Sequence, residues 1–352
     1  MPQTIALPAW RRLATVAFCL TTGLGDAPLR AETSVVLPSS SVETLQDAPL
    51  SAETTLGALL RHPDLQDYAR RLLPWGERAY REEMPLREMA KLLPYHSEVR
   101  PDVVLAGLNR ILELQRAGMP VFHELYTVAE RNENQALNEA GLFFFPGQPG
   151  ASFALIAPGG GFSYAGSVHE GFPHAMELSR LGFNAFVVTY RTGRGGWVAT
   201  ADMARAVDVI LDHVDDLGVA RDGYSVWGSS AGARMAAYIG SHGPDAFGAR
   251  STQRPAAVIM AYTAHADTGA HEPPTYAIVG ARDGIAPVDS MRPRVEALRA
   301  MGAEVTFRVV QGVGHGFGDG TGTEAEGWVA EAAGFWAGHL PPHLVPVQGI
   351  PE

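Results

Sequence analysis

The stretch Val226 to Met235, VWGSSAGARM, sets two serines between glycines. Only Ser230 has a glycine both two places before it and two places after it, Gly228 and Gly232. The pattern follows an apolar run, YSVW, and opens a helix-forming one, AGARMAAYIG. That context suits a sharp strand-to-helix turn which lifts the hydroxyl to a helix N-terminus, where developing negative charge is favoured. Ser229 is then the small neighbour that lets the turn form. A serine hydroxyl attacks a carbonyl only when a base takes its proton and a third group orients that base. His315, in the loop VVQGVGHGFG, is the candidate base, and Asp283, directly after TYAIV, is the candidate acid. Asp289 is the rival acid, but it opens the next helical stretch and reads as structural. The resulting oxyanion needs N–H donors. Ala231, after the serine, offers one, and Gly160 or Gly161 in ALIAPGGGFSYAG offers the other, because glycine turns its amide toward a substrate at little steric cost.

The residues beside these loops suggest the pocket. Phe162, Tyr164, Tyr190, Trp197, Tyr262 and Phe317 would make a partly apolar cleft suited to a compact acyl group. His169, Arg191 and His265 are the polar residues that could meet a leaving group. The glycine loop has neither a G-x-G-x-x-G nor a Walker lysine pattern, and no metal-spaced cluster stands out. Hydrolysis through an acyl-serine, with no cofactor and no metal, is the simplest chemistry expected.

These groups must be carried by strands and helices in the right order. From Pro120 onward the chain alternates between them. Strands are expected at Val121–Val128, Gly141–Phe145, Phe153–Ala157, Asn184–Tyr190, Tyr224–Trp227, Ala256–Ala261, Thr275–Val279 and Glu304–Val310. Runs such as AFVVTY and AVIMAY are apolar throughout, as strands covered on both faces require. Helices are expected at Phe172–Leu181, Ala199–Leu217, Ala231–Ser241, Val288–Met301 and Thr323–His339. The class is α/β: a mostly parallel, doubly wound, eight-stranded sheet with helices on both faces. Before it, Thr54–Thr55 caps a helical stretch broken near Pro63, and Pro101 opens a second helix that ends at Gly118. Val104, Leu108, Ile111 and Leu112 recur at helical spacing, so one face of that second helix is buried.

The N-terminus has the pattern of an export leader. Arg11 and Arg12 precede the apolar run Leu13 to Gly25, which has signal-peptide length and is too short to span a bilayer. The expected layout is a leader over 1–31, a linker and helical extension over 32–119, a catalytic domain over 120–342 and a tail over 343–352. Cys19, the single cysteine, falls within the leader, so the processed chain would hold no disulfide or thiol nucleophile. A formal charge of −11 speaks against nucleic acid or an anionic membrane as the main partner.

The series PGGGF, GSSAG, RDG and GHG resembles the α/β-hydrolase superfamily over about residues 120–340. The chain order Ser230, Asp283, His315 is the one that fold uses. PGGGF in place of HGGGF resembles the bacterial acetylesterase and acetyl-xylan-esterase-like group, with Pro158 standing where a supporting histidine often sits. The segment LLPYHSEVRPDVV also looks like an N-terminal extension of secreted hydrolases of this group. The resemblance implies an α/β-hydrolase fold with an N-terminal helical extension. It implies an exported, periplasmic or secreted serine carboxylesterase for short-chain, acetyl-type esters, including those of plant polysaccharide or oligosaccharide. The expected partner is a small-molecule or carbohydrate ester, with no nucleic acid and no integral membrane anchor in the mature chain. The alternatives are a prolyl-oligopeptidase-type peptidase and a catalytically silent binding protein of the same fold.

Overall fold

The computed structural model describes residues 48–347 apart from Glu77. The expected leader (1–31), linker residues 32–47 and tail residues 348–352 lie outside the described residues. Eight strands form one sheet: β1 (Phe122–Glu124), β2 (Gly141–Phe145), β3 (Phe153–Ala157), β4 (Asn184–Thr189), β5 (Ser225–Ser229), β6 (Ala257–Ala261), β7 (Thr275–Gly280) and β8 (Val305–Val310). Their order is β1-β2-β4-β3-β5-β6-β7-β8, with β2 antiparallel to both its neighbours and the remaining pairs parallel. Every residue of β2 through β7 is buried, whereas the edge strands β1 and β8 are mostly half-buried. The unbroken apolar runs are thus the central strands.

The principal helices are α1 (Pro101–Arg116), α2 (Phe172–Arg180), α3 (Gly196–Asp212), α4 (Ala231–His242), α5 (Val288–Ala300) and α6 (Trp328–Ala337). The crossover β3–α2–β4 runs toward one sheet edge, and β4–α3–β5 and β5–α4–β6 run toward the other. Right-handed crossovers therefore put α2 on the face opposite α3 and α4. The reversal opens a crevice beyond the carboxyl ends of β3 and β5, where open α/β sheets bind ligands. The glycine loop follows β3 and the Ser230 turn follows β5, so both meet at that crevice.

The N-terminal layer closes the α2 face. Thr55 accepts the Ala58 N–H and caps a short helix at Leu56–Leu60. Helix α1 buries Val104, Leu108, Ile111 and Leu112, and its Gly107 lets it approach Phe172 of α2 closely. Three expected boundaries shift. The first strand is only Phe122–Glu124, because Thr127 and Glu130 form a reciprocal capping box that starts a short helix at Val128. Helix α3 starts at Gly196 and stops at Asp212, with a separate turn of helix at Val214–Leu217. The last helix begins at Trp328, since Gly327 before it is left-handed. Among the described residues no helix is long and apolar enough to cross a membrane.

One buried ion pair ties α5 to the segment after β6. The Arg294 guanidinium lies 3.1 Å from the Glu272 carboxylate, and both side chains are essentially inaccessible. Arg294 also donates to Ser241 Oγ at the end of α4 and to the Asp267 carbonyl. Removing one partner strands the other's charge inside the protein. Glu272→Ala should therefore lower the unfolding free energy by about 3–5 kcal/mol, read by urea titration. A loss under about 1 kcal/mol would show that solvent reaches the pair.

Candidate active site

Strand β5 ends at Ser229 and α4 begins at Ala231, leaving Ser230 alone in the turn with φ 51° and ψ −113°. A non-glycine residue held there costs on the order of 1–3 kcal/mol, which the surroundings must offset. They do so by close backbone approach. A Cβ on Gly232 would lie 1.9 Å from the Ala157 carbonyl oxygen, and one on Gly228 would lie 2.1 Å from the Gly232 carbonyl oxygen. The Ser230 N–H donates to the Ala261 carbonyl at 2.9 Å, tying the turn to the end of β6.

The turn aims the hydroxyl at His315. Ser230 Oγ lies 2.9 Å from His315 Nε2, across a sequence separation of 85 residues. His315 Nδ1 lies 2.8 Å from Asp283 Oδ2. Asp283 Oδ1 accepts the N–H groups of Ile285 and Ala286, which fixes the carboxylate in its loop. With Nδ1–H pointing at that carboxylate, the Nε2 lone pair faces Ser230 and can accept its proton. Asp283 and His315 are both buried. Asp289 instead sits exposed at the start of α5, beside Arg292 at 3.5 Å.

The glycine loop after β3 supplies the donors. The Gly159 N–H is already engaged by Glu170 Oε2 at 2.6 Å. The N–H groups of Gly160, Gly161 and Ala231 donate to no protein group among the described residues. Gly160 and Gly161 both have positive φ, which turns their amides out of the loop. The carbonyl of Pro158 accepts the Tyr190 hydroxyl at 2.8 Å, so the loop is propped from beneath without a histidine at position 158.

The expected aromatic wall divides in two. Trp197, 65% exposed, meets Phe247 in a tilted ring contact, and half-buried Phe162 packs against Gly196 at the start of α3. Tyr164, Tyr190, Tyr262 and Phe317, expected to line the cleft, are instead buried beneath it. The physical reason is that the tyrosine hydroxyls are bound inside: Tyr190 to Pro158, Tyr262 to Glu170, and Tyr164 to the His96 ring. Of the polar candidates, Arg191 pairs with buried Asp202 at 2.7 Å. His169 is inaccessible; burial pushes its pKa down to about 4, and its Nε2–H donates to the Gly316 carbonyl. His265 is buried too, on the wall of a cavity of about 350 Å³ that Arg234 and Tyr238 of α4 also line. A larger cavity of about 830 Å³ lies among residues of α1, α2 and α6 and holds none of the chemical groups named above. Among the described residues no His, Cys, Asp and Glu cluster has metal-binding geometry.

The sequence reading missed Glu170, and it gave the segment that contains Tyr95–Ser97 no place at the site. Glu170 follows His169 on the way into the apolar stretch that becomes α2, and that crowding of titratable residues before a buried helix was the available signal. Burial raises the Glu170 pKa, but the adjacent His96 and His169 and the Tyr262 hydroxyl outweigh burial and leave it at about 2.

No family model matches the sequence. An acetylxylan esterase from Xylanibacter ruminicola is 26% identical over 102 residues, which are 29% of this chain and 21% of that protein. The chain thus matches about a fifth of the length of this curated relative. Among solved structures, a thermophilic esterase from Thermogutta terrifontis with propionate bound aligns at TM-score 0.52 and 20% identity, covering 60% of this chain and 92% of that one. Esterase 2 of the same organism, phosphorylated by paraoxon, aligns at TM-score 0.51 and 21% identity, covering 58% and 91%. Strand order, the turn after β5 and the Ser–Asp–His chain order define an α/β-hydrolase-fold protein. Within that fold the local sequence match is to an acetylxylan esterase.

Two outcomes follow from the site's geometry. Gly232→Ala should destabilise the protein by about 3 kcal/mol or more, because the added carbon meets backbone rather than a movable side chain. A thermal midpoint within a degree or two of the wild type would refute the close approach. The second outcome concerns pH. The folded-state pKa of Glu170 is depressed, so its stabilisation is fully present above the unfolded value near 4.5 and is lost as pH falls toward about 2. The stability advantage of the wild type over Glu170→Gln should shrink across that window in pH-dependent melting curves, and a constant gap would contradict the assignment.

Proposed function

We propose that this protein is a serine carboxylesterase that hydrolyses short-chain, acetyl-type esters through an acyl-enzyme. The observation that carries the reading is the relay Ser230–His315–Asp283 at 2.9 and 2.8 Å, next to a glycine loop whose Gly160 and Gly161 N–H groups are unengaged, as is that of Ala231. In the proposed reaction His315 Nε2 takes the Ser230 proton as Oγ adds to the ester carbonyl. Asp283 holds the imidazolium, and the amides of Ala231 and Gly160 or Gly161 accommodate the oxyanion. His315 then returns the proton to the leaving alcohol. Water, deprotonated by the same nitrogen, adds to the acyl carbonyl and frees Ser230 and the acid.

The substrate class rests on two supports. The relative with local sequence similarity is an acetylxylan esterase, and Trp197 offers a largely exposed indole face, of the kind that stacks on a sugar ring, on the segment that packs against Phe162 of the glycine loop. We extend the proposal to acetyl groups on plant polysaccharide or its fragments. Arg11, Arg12 and the apolar run from Leu13 to Gly25 support export to the periplasm or beyond.

Ser230→Ala should abolish hydrolysis of p-nitrophenyl acetate and labelling by a fluorophosphonate, while Ser229→Ala should retain both. Asp283→Asn should lower kcat by about ten-thousandfold, as in the protease analogue. Asp289→Asn should leave kcat within about twofold, since that carboxylate is exposed beside Arg292 while the imidazole is bound by Asp283. Acetyl esters should outrun octanoyl esters in kcat/KM, and acetylated xylan should release acetate. Preference for aminoacyl-proline amides over every ester would overturn the reading.

A further inference from the structure

We infer that Glu170 is a positioning residue for the hydrolytic site, and that Tyr95–Ser97 of the N-terminal layer completes the device that holds it. The inference rests on the esterase reading and goes beyond it.

Glu170 sits in the single π-helical turn Ser167–Gly171 that leads into α2, with no accessible surface. Each carboxylate oxygen has a separate task. Oε2 accepts the Gly159 N–H at 2.6 Å, and Oε1 accepts the Tyr262 hydroxyl at 2.8 Å. Gly159 begins the turn that presents the amides of Gly160 and Gly161. A Cβ on Gly159 would lie 2.5 Å from Oε2 and 3.0 Å from Ser230 Cβ, so carboxylate, loop and nucleophile are packed together. Tyr262 sits at the end of β6 with φ 40°, and its ring meets His315 edge-on at 5.1 Å and Phe317 at 4.6 Å. One carboxylate therefore fixes the oxyanion loop with one oxygen and the support of the base with the other.

The N-terminal segment holds the third side. His96 Nε2 lies 3.0 Å from Glu170 Oε2, an electrostatic contact without hydrogen-bond alignment, and both side chains are at most 2% exposed. His96 Nδ1 lies 2.8 Å from the Tyr164 hydroxyl, which also accepts the Tyr95 N–H at 3.1 Å. These contacts hold His96 Nε2 beside the carboxylate. Ser97 donates from Oγ to the His315 carbonyl at 2.8 Å, and its N–H points at the carbonyls of His315 and Gly316, each at 3.1 Å. Tyr95 lies against Gly161, 3.0 Å from where that residue's Cβ would be. Three consecutive residues thus contact the base loop, the oxyanion loop and Glu170.

Hydrogen bonds to a buried carboxylate are strong, and a donor displaced from a developing oxyanion costs about 10²–10³ in kcat. A glutamine at position 170 keeps one acceptor but turns an NH₂ toward a donor, so the loop should shift by a fraction of its correct placement.

The test compares Glu170→Gln with wild type using p-nitrophenyl acetate, with active sites counted by fluorophosphonate titration. We expect kcat per titrated site to fall about 10–100-fold with KM within about twofold. Ki for an aryl trifluoromethyl ketone, a tetrahedral mimic, should rise by the same factor as kcat falls. A purely structural role predicts fewer titratable sites with kcat and Ki unchanged in those that remain, and that result overturns the inference. Should Glu170→Gln fail to fold, Tyr262→Phe and Ser97→Ala decide the matter, each deleting one hydroxyl contact. Each should lower kcat per site about 3–10-fold and raise Ki in parallel, as for loss of a single supporting hydrogen bond; unchanged values in both would overturn it. A wild type that hydrolyses no ester would instead refute the esterase reading itself.

Discussion

The structure depends on the close approach of backbone to backbone at the end of β5. Only hydrogen atoms fit between the α carbon of Gly232 and the Ala157 carbonyl, so the first turn of α4 can lie directly on the end of β3. That contact forces the chain through the unfavourable Ser230 conformation and keeps it there. Because β3 and β5 are paired in the sheet, with Ala157 opposite Gly228, it also sets the first turn of α4 beside the glycine loop that follows β3. A turn of any other kind would leave the serine on the surface with its donors elsewhere.

A second constraint is electrostatic. A fully buried carboxylate lies beneath the crevice, and burial by itself works against its ionised form. Donors from the glycine loop and the end of β6, with the His96 ring of the N-terminal layer alongside, converge on it and outweigh that cost. The same donors belong to elements that must stay in register for the chemistry. The buried tyrosines serve this arrangement too: their rings fill space under the cleft while their hydroxyls bind loop carbonyls, the carboxylate and the His96 ring.

Much of the fold was legible because its signals are local. The runs FALIA and AVIMA are apolar throughout, the pattern that strands covered on both faces require, and β3 and β6 fall there. Pro101 in the first turn and Gly118 beyond the end delimited α1 for equally local reasons. The edge strand β1 was overestimated because the Thr127–Glu130 cap competes with strand over the same residues. Ser230, Asp283 and His315 were legible from their neighbours and their order along the chain. The cleft walls were not, since an aromatic residue beside an active loop has the same sequence signature whether its ring faces solvent or the core. Trp197 and Tyr262 went opposite ways.

By itself, then, the sequence determined which turns and strands could form, because glycine spacing and apolar periodicity act through sterics and burial over a few residues. It thereby picked out Ser230, His315 and Asp283, which the fold brings within hydrogen-bond distance of one another. Tertiary structure decided what surrounds them. Ser97 reaches the His315 carbonyl across 218 residues, and Tyr262 reaches Glu170 across 92. No local pattern encodes such meetings. They arise because buried polar groups must find partners, and only the packed fold determines which partners are within reach.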